Sequence, residues 1–352
     1  MRLRVMLWLA IGLSVVLFVS AVAESKTTVG LILIGSIHDQ GWSQTHYENM
    51  LAAVDMYGDD VELVIQEEVW DPMFTEVARD MILSDNVDII FAASATYQGF
   101  IAVLADEFPE VMWEFTDPSV IEPKDNVRGY YVRLYEGNFL AGVAVGRLLA
   151  MSSLPDDSIV GLVSSIAFPL TVRNANAAVA GVRYGLGIDI PAKVAWLGSV
   201  SDNPWFNPEQ EALLARTLIS GGAVALNSTL DSTAVIEVAE DRSVLSWGIT
   251  RDNTPFGLTT NVANSVIDWT AYYADRIQRL INDTWDAGST WAHMLGEPRV
   301  ELGPLGGFLT LDIAREIWAL QEEIASGDFV VLPELSELEL LTSMEFLPGL
   351  DD

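Results

Sequence analysis

Short apolar runs rich in β-branched residues alternate along this chain with stretches whose apolar positions recur at helical spacing. The runs cover residues 29–34, 61–65, 87–92 and 111–115, with helical patterns near 45–57, 72–84 and 97–107 between them. A continuous apolar run of this length reads as a strand buried on both faces. Regular alternation of such strands with helices predicts a parallel sheet covered on both sides. A second series follows, with strands at 159–163, 193–197, 223–227 and 244–248 and helices near 136–151, 171–186, 208–220 and 232–241. Gly and Pro punctuate the turns, as at Ser220-Gly221-Gly222 and Asn203-Pro204. Two similar α/β halves imply a cleft between two lobes.

With 352 residues, half of them hydrophobic, the chain can bury a sizeable core in each lobe. The expected first lobe takes residues 24–132 and 265–300, and the second takes 133–264 and 301–352. Crossings fall near 128–133 and 261–266, and the helical pattern at 269–281 is expected to pack on the first lobe.

Residues 1–23 stand apart from this pattern. Arg2 and Arg4 precede an apolar segment at 5–19 that ends in Ala21-Val22-Ala23, which reads as a cleavable secretory signal. The apolar segment is short for the roughly 20 residues of a membrane span. The chain has no cysteine, so it offers neither a lipid-attachment site nor a disulfide. A freely soluble product outside the cytoplasm is expected, most simply in a periplasm.

Charge narrows the partners. Removing residues 1–23, which carry two arginines and no acid, takes the formal charge from −32 to −34 over 329 residues. Nucleic acid is therefore not an expected partner. The three lysines are Lys26, Lys124 and Lys193, and the acids are spread rather than clustered, which describes a solvated acidic surface and suggests adaptation to salt.

The densest candidate chemistry lies between the first strand and the first helix, in Gly35-Ser36-Ile37-His38-Asp39-Gln40-Gly41-Trp42-Ser43-Gln44. In an open parallel sheet such a loop sits at the carboxyl end of a strand, where ligands bind. Asp39 accepts hydrogen bonds and the Trp42 indole offers a flat face, a pair suited to a flat polar molecule. The alternatives are that Asp39 caps the following helix and that Trp42 anchors the loop. On the ligand reading, Trp42→Ala weakens binding and leaves the melt of the ligand-free protein nearly unchanged. Ser94 and Thr96, after the third strand, are hydroxyl contacts or ordinary turn residues.

Catalysis is not expected. Only His38, His46 and His293 are present, without a Gly-x-Ser-x-Gly elbow, a phosphate loop or a dinucleotide fingerprint, so no cofactor is expected either. The spacing of His38, Asp39 and His46 is not a recognised metal-ligand pattern.

The same loop resembles the Gly-x-x-x-Asp-x-x-(Phe/Trp)-(Asn/Ser/Thr) opening of the basic membrane protein (BMP) family of substrate-binding proteins. The similarity continues in order through Arg128-Gly129-Tyr130, Gly137-Asn138-Phe139-Leu140-Ala141-Gly142 and Val194-Ala195-Trp196-Leu197-Gly198-Ser199. It then includes Trp205-Phe206-Asn207-Pro208, Leu226-Asn227-Ser228-Thr229-Leu230-Asp231-Ser232, Gly248-Ile249-Thr250-Arg251-Asp252 and Trp269-Thr270-Ala271-Tyr272-Tyr273. Each motif alone is weak and the ordered set is fairly specific.

The resemblance implies a two-lobed periplasmic-binding-protein fold of type I. It implies an ABC permease in the inner membrane as partner and a purine base or nucleoside as ligand, held between aromatic rings from the two lobes. Carried over by position, Trp42 and Asp39 come from the first lobe, and Trp205 or Phe206 supplies the second ring. Asp231 and Asp252 stand at two further acidic positions, where a capping role and a turn role respectively are the alternatives. Two departures put ribose recognition in doubt: Asn207 replaces an acid of a Trp-Phe-Asp-Pro pattern, and Thr250 replaces the first acid of Gly-x-Asp-x-Asp. A diol is best held by an ionised carboxylate, so a bare base such as adenine is at least as good a fit. The same fold with acids and rings also suits a cationic amine or a sugar, and a ligand sensor that signals to a membrane receptor has the same features.

Overall fold

The computed structural model describes residues 26–119 and 122–351. The expected secretory signal, residues 1–23, lies outside the described residues. The chain first runs β1 (Thr27–Ile32), α1 (Trp42–Asp55), β2 (Val61–Gln66), α2 (Asp71–Asp85), β3 (Ile89–Ala92), α3 (Gln98–Glu107), β4 (Met112–Phe115) and β5 (Val127–Val132). Next come α4 (Leu134–Leu149), β6 (Ile159–Ser164), α5 (Pro169–Leu186), β7 (Ala192–Trp196), α6 (Pro208–Ser220), β8 (Ala223–Ser228), α7 (Ala234–Arg242), β9 (Leu245–Thr250) and β10 (Asn261–Asp268). It closes with α8 (Thr270–Ile281), β11 (Gly288–Ala292), β12 (Arg299–Leu302), α9 (Leu311–Ser326), α10 (Glu337–Thr342) and β13 (Leu350–Asp351). All eight strands expected from the apolar runs are present.

Two sheets form, ordered β11-β5-β4-β3-β1-β2 and β12-β10-β9-β8-β6-β7-β13. The first is parallel throughout, and the second is parallel except where β12 pairs antiparallel with β10. Every residue of β3 is buried, as a strand covered on both faces requires. In each sheet the strand order reverses at the lobe's first strand, β1 or β6, and the loops leaving the carboxyl ends of these two strands open into the crevice where doubly wound sheets bind ligands.

Glycine sets the closest helix packing in the second lobe. Gly142 and Gly146 of α4 lie against α5, whose Gly181 and Gly185 face back. A Cβ on Gly181 would stand 2.0 Å from the Phe139 carbonyl oxygen. The Gly137-to-Gly142 motif is thus a close-packing surface.

The chain passes between the lobes three times: at Arg133, at Trp269, and between Ala292 and Arg299. The expected return at 264/265 falls inside β10, because this buried strand continues to Asp268 and pairs over Ser265–Asp268 with β12. Helix α8 belongs to the first lobe, where Arg276 makes a 2.6 Å ion pair with the fully buried Glu114 of β4. Tyr272 and Trp285 also donate to that carboxylate, and such a buried pair costs several kcal/mol to break from one side.

Candidate functional site

A cavity of about 370 Å³ lies between the lobes at the carboxyl ends of both sheets. The first lobe contributes the loop after β1, the Glu68-to-Trp70 turn, the Ser94-to-Thr96 turn, Thr116 and Tyr131; the second contributes Phe168, Leu170, Asn203, Trp205, Phe206, the Thr229-to-Asp231 segment, Ile249 and Thr250. Seven of the eight residues singled out from the sequence meet there: Asp39, Trp42, Ser94, Thr96, Trp205, Phe206 and Asp231.

The first-lobe wall is built by local hydrogen bonding. Asp39 is 5% exposed. Its Oδ1 accepts from the backbone N–H groups of Gly41 and Gln44, and its Oδ2 accepts from Ser43. The carboxylate thereby satisfies N–H groups that open α1, which have no intrahelical partner. Trp42 donates its indole Nε1–H to the Ala93 carbonyl at 2.8 Å, and its ring meets His46 and Trp269 edge-on at 4.5 and 5.8 Å. Both residues therefore line the cavity and brace the fold.

His46, the second layer, is fully buried between Trp42 and Trp269 and bonds the Tyr273 hydroxyl. Burial lowers its pKa to about 3 and keeps the ring neutral.

The second-lobe wall is lighter. Trp205 stands edge-on to Phe168 at 6.1 Å, and the backbone N–H groups of Trp205 and Phe206 both donate to Asn203 Oδ1. Asn207 does not face the ligand space; its side chain caps α6 by accepting from the Gln210 N–H.

Asp231 joins the two walls. Its Oδ1 accepts from the Trp42 backbone N–H at 2.8 Å, across the cleft. Burial, then the charges of Asp39 and Glu211, push its carboxyl well above the ordinary range, against the pull of the Trp42 N–H. Three further contacts show the lobes closed. Gly41 sits so tightly on Asp231 that a Cβ would come within 2.4 Å of its Cα. The Thr233 hydroxyl lies 3.2 Å from the Gln40 side-chain amide, and Arg251 pairs with Glu48 at 2.8 Å.

Asp252 does not join the site. It is exposed, and its Oδ1 accepts from the Thr254 N–H and the Asn264 amide. The reason is the backbone: Thr250, at the end of β9, has φ +75, so the chain turns before it reaches Asp252. Thr250 itself lines the cavity, and a β-branched residue at positive φ is held there only by its surroundings.

Sequence reasoning missed Trp70, Thr116, Tyr131, Phe168 and Glu68. Trp70 ends the short loop after β2 and immediately precedes the Asp71-Pro72 helix start, the same strand-loop-helix signal that exposed the first loop. Thr116 is 2% exposed, with a hydroxyl that has no partner among the described residues. Glu68 has φ +57. At the start of the second lobe, Glu136 is 4% exposed, accepts the Met294 N–H at 2.7 Å and stands 3.9 Å from Arg133 and 3.5 Å from His293. Burial raises its pKa to about 7.

Two parallel-sheet lobes closed over a cavity at their strand ends define a type I periplasmic-binding-protein fold, the architecture of solute-binding proteins. Solved structures agree: a solute-binding protein of an ABC transporter from Aeropyrum pernix superposes with a TM-score of 0.71, at 16% identity over 89% of this chain and 95% of its own. Another from Conexibacter woesei gives 0.68, at 19% identity over 88% and 100%. Residues 26–331 match the Bmp family, the PnrA-like substrate-binding proteins of ABC transporters, and the chain belongs to that family. It is 30% identical over 309 residues to a purine-binding protein of Brucella abortus, covering 88% of this chain and 84% of that one. It is also 27% identical over 302 residues, 85% and 72% of the two chains, to a Haloferax volcanii protein named as a candidate ABC-transporter glucose-binding protein.

The chain is therefore a substrate-binding protein, of a family of solute carriers rather than enzymes, which works outside the cytoplasm with a membrane permease on a small solute.

Proposed function

We propose that the interlobe cavity binds a purine base, with nucleosides as the wider class, and that the closed protein delivers it to an ABC permease in the inner membrane. Secretion to the periplasm follows cleavage after Ala23. The observation that carries the reading is the make-up of the cavity. Aromatic rings from both lobes, Trp42, Trp70 and Tyr131 on one side and Phe168, Trp205 and Phe206 on the other, face a space of about 370 Å³. That volume is at the low end for ligand pockets. Glu68 adds a carboxylate acceptor and Asp231 a carboxyl that burial pushes toward its protonated form, and no Lys or Arg stands among the described residues that line it. A flat heterocycle with N–H groups matches such walls, and stacking contributes roughly 1–3 kcal/mol per ring. The purine-binding relative supports the same class.

A hexose is the second reading, favoured by the Haloferax relative's name. The experiment is to purify the protein without added ligand, denature it, and identify the released small molecules by ultraviolet absorption and mass spectrometry. A purine is the expected finding. A sugar or an amine would keep the fold and overturn the ligand, and for an empty protein the same question goes to a thermal-shift panel of adenine, adenosine, choline, a polyamine, a pentose and glucose.

A further inference from the structure

Three side chains at the first-lobe wall form a hydrogen-bond chain with a fixed direction. Thr96 Oγ1 lies 2.5 Å from Asp71 Oδ1, and Ser94 Oγ lies 2.9 Å from Thr96 Oγ1. Ser94 Oγ also receives the Thr96 backbone N–H at 3.3 Å. A carboxylate only accepts, and each hydroxyl has one hydrogen to give. The Thr96 hydrogen is therefore committed to Asp71. Thr96 Oγ1 must then accept from Ser94, whose own hydrogen is committed in turn. What Ser94 has left is a lone pair, and Ser94, 8% exposed, lines the cavity while Asp71 lies behind it.

We infer that Asp71 and Thr96 act as positioning residues that turn Ser94 into an obligate hydrogen-bond acceptor, so that the site selects amino-substituted purines over oxo-substituted ones. The inference rests on the purine reading above and deepens it. An amino group or ring N–H satisfies the Ser94 lone pair. A carbonyl placed there faces lone pair against lone pair, and Glu68, a further carboxylate acceptor on the same first-lobe wall, offers it no hydrogen either. Leaving a buried polar group unmatched costs about 1–3 kcal/mol, which corresponds to roughly a ten- to hundredfold difference in affinity.

The test is calorimetric titration of the ligand-free protein with adenine and with hypoxanthine, which share shape and stacking area but exchange an amino group for a carbonyl. The parent protein is expected to bind adenine at least tenfold more tightly. Thr96→Val removes the acceptor of the Ser94 hydrogen, which is then free to point at the ligand, and the preference should shrink toward parity, with hypoxanthine gaining in absolute affinity. Asp71→Asn, which can donate to Thr96 and so release the chain, should narrow the ratio in the same direction. A merely structural role for either residue would weaken both ligands alike and leave the ratio unchanged. Equal affinities in the parent protein, or an unchanged ratio in both variants, would overturn the inference while purine binding stands. Binding of neither base would remove the purine reading itself, and the inference with it.

Discussion

The two walls of the cleft are built to different standards. The first-lobe wall is fixed before any ligand arrives: three backbone N–H groups grip Asp39, the Trp42 indole is tied to Ala93, and His46 and Trp269 pack behind it. The second-lobe wall holds its two rings by Asn203 Oδ1 and by the Trp205 carbonyl, which accepts the Asp231 N–H at 3.1 Å, with one edge contact to Phe168 and, among the described residues, no side-chain hydrogen bond on either ring. The difference describes a division of labour. A rigid platform pays the ordering entropy during folding, and a more adaptable jaw closes on what the platform holds. Affinity then depends on reaching the closed state as well as on the rings.

The sharpest way to break that picture is to block closure without touching either wall's packing. Gly41 has φ −135° and ψ −119°, outside the α and β regions open to other residues, so alanine also carries a backbone cost in the first lobe. The three atoms nearest to an added Cβ all belong to Asp231 across the cleft, its Cα at 2.4 Å. Gly41→Ala is expected to lower ligand affinity by at least about a hundredfold, the loss of roughly 2.7 kcal/mol, with a smaller loss of ligand-free stability, about 1 kcal/mol, from the backbone. Small-angle scattering should show no compaction on ligand addition. Tight binding with normal compaction would mean that the Gly41–Asp231 contact is not part of the closed state that ligand selects.

Next in size is the contrast between the walls themselves. The sequence suggested that Trp42→Ala would spare the ligand-free protein, but its hydrogen bond to Ala93 and its packing on His46 and Trp269 revise that expectation. Trp42→Ala should cost one to two decades of affinity and also about 2 kcal/mol of stability. Trp205→Ala should cost affinity with little change in the melt. Equal destabilisation by both substitutions would erase the proposed asymmetry.

The lobes also respond to pH in opposite senses. In the first lobe, His46 titrates at about 3 when folded against 6.5 ordinarily, so the stability from keeping it neutral is present above 6.5 and is lost as pH falls toward 3. At the second-lobe edge, Glu136 titrates at about 7 against 4.5, so its contribution is fully present below 4.5 and is lost as pH rises through 7. Measured as differences from the parent protein, Glu136→Gln should gain stability between pH 4.5 and 8, by up to about 3 kcal/mol. His46→Phe should gain relative to the parent as pH falls from 6.5 to 4. Parallel denaturation curves at both ends of either range would remove the corresponding group from the account.

How much of this was legible beforehand follows from which signals are local. The eight strands and the two-lobed fold were readable because buried parallel strands appear as continuous apolar runs, and the first loop because it joins such a run to a helix. Asp252 was misread for a local reason that spacing hides. In an extended strand it would share a face with Thr250, but the positive φ of Thr250 turns the chain away. Phe168 and Thr116 carry no signal of their own; they reach the cavity only because two sheets meet. Trp70 was within reach, since a large aromatic in the loop before Asp71-Pro72 repeats the logic that found Trp42. The chain of hydroxyls behind Ser94, by contrast, was invisible without the fold: Asp71 and Thr96 are 25 residues apart.

The smallest expected effect concerns both lobes equally and so tests what the asymmetry is not. Fifty acidic residues against eighteen basic ones spread a net −32 over the whole chain, and the repulsion among exposed carboxylates opposes compaction of either lobe. At molar salt the screening length falls to about 3 Å, short enough to quench that repulsion while leaving the buried Glu114–Arg276 pair almost untouched. The melting temperature should therefore rise by several degrees between low and molar salt, and it should rise alike for the parent, Trp42→Ala and Trp205→Ala, because neither ring carries charge. A flat or falling melting temperature would show that the acidic surface imposes no cost at low salt. A rise confined to one variant would show that the two walls differ in electrostatics as well as in packing.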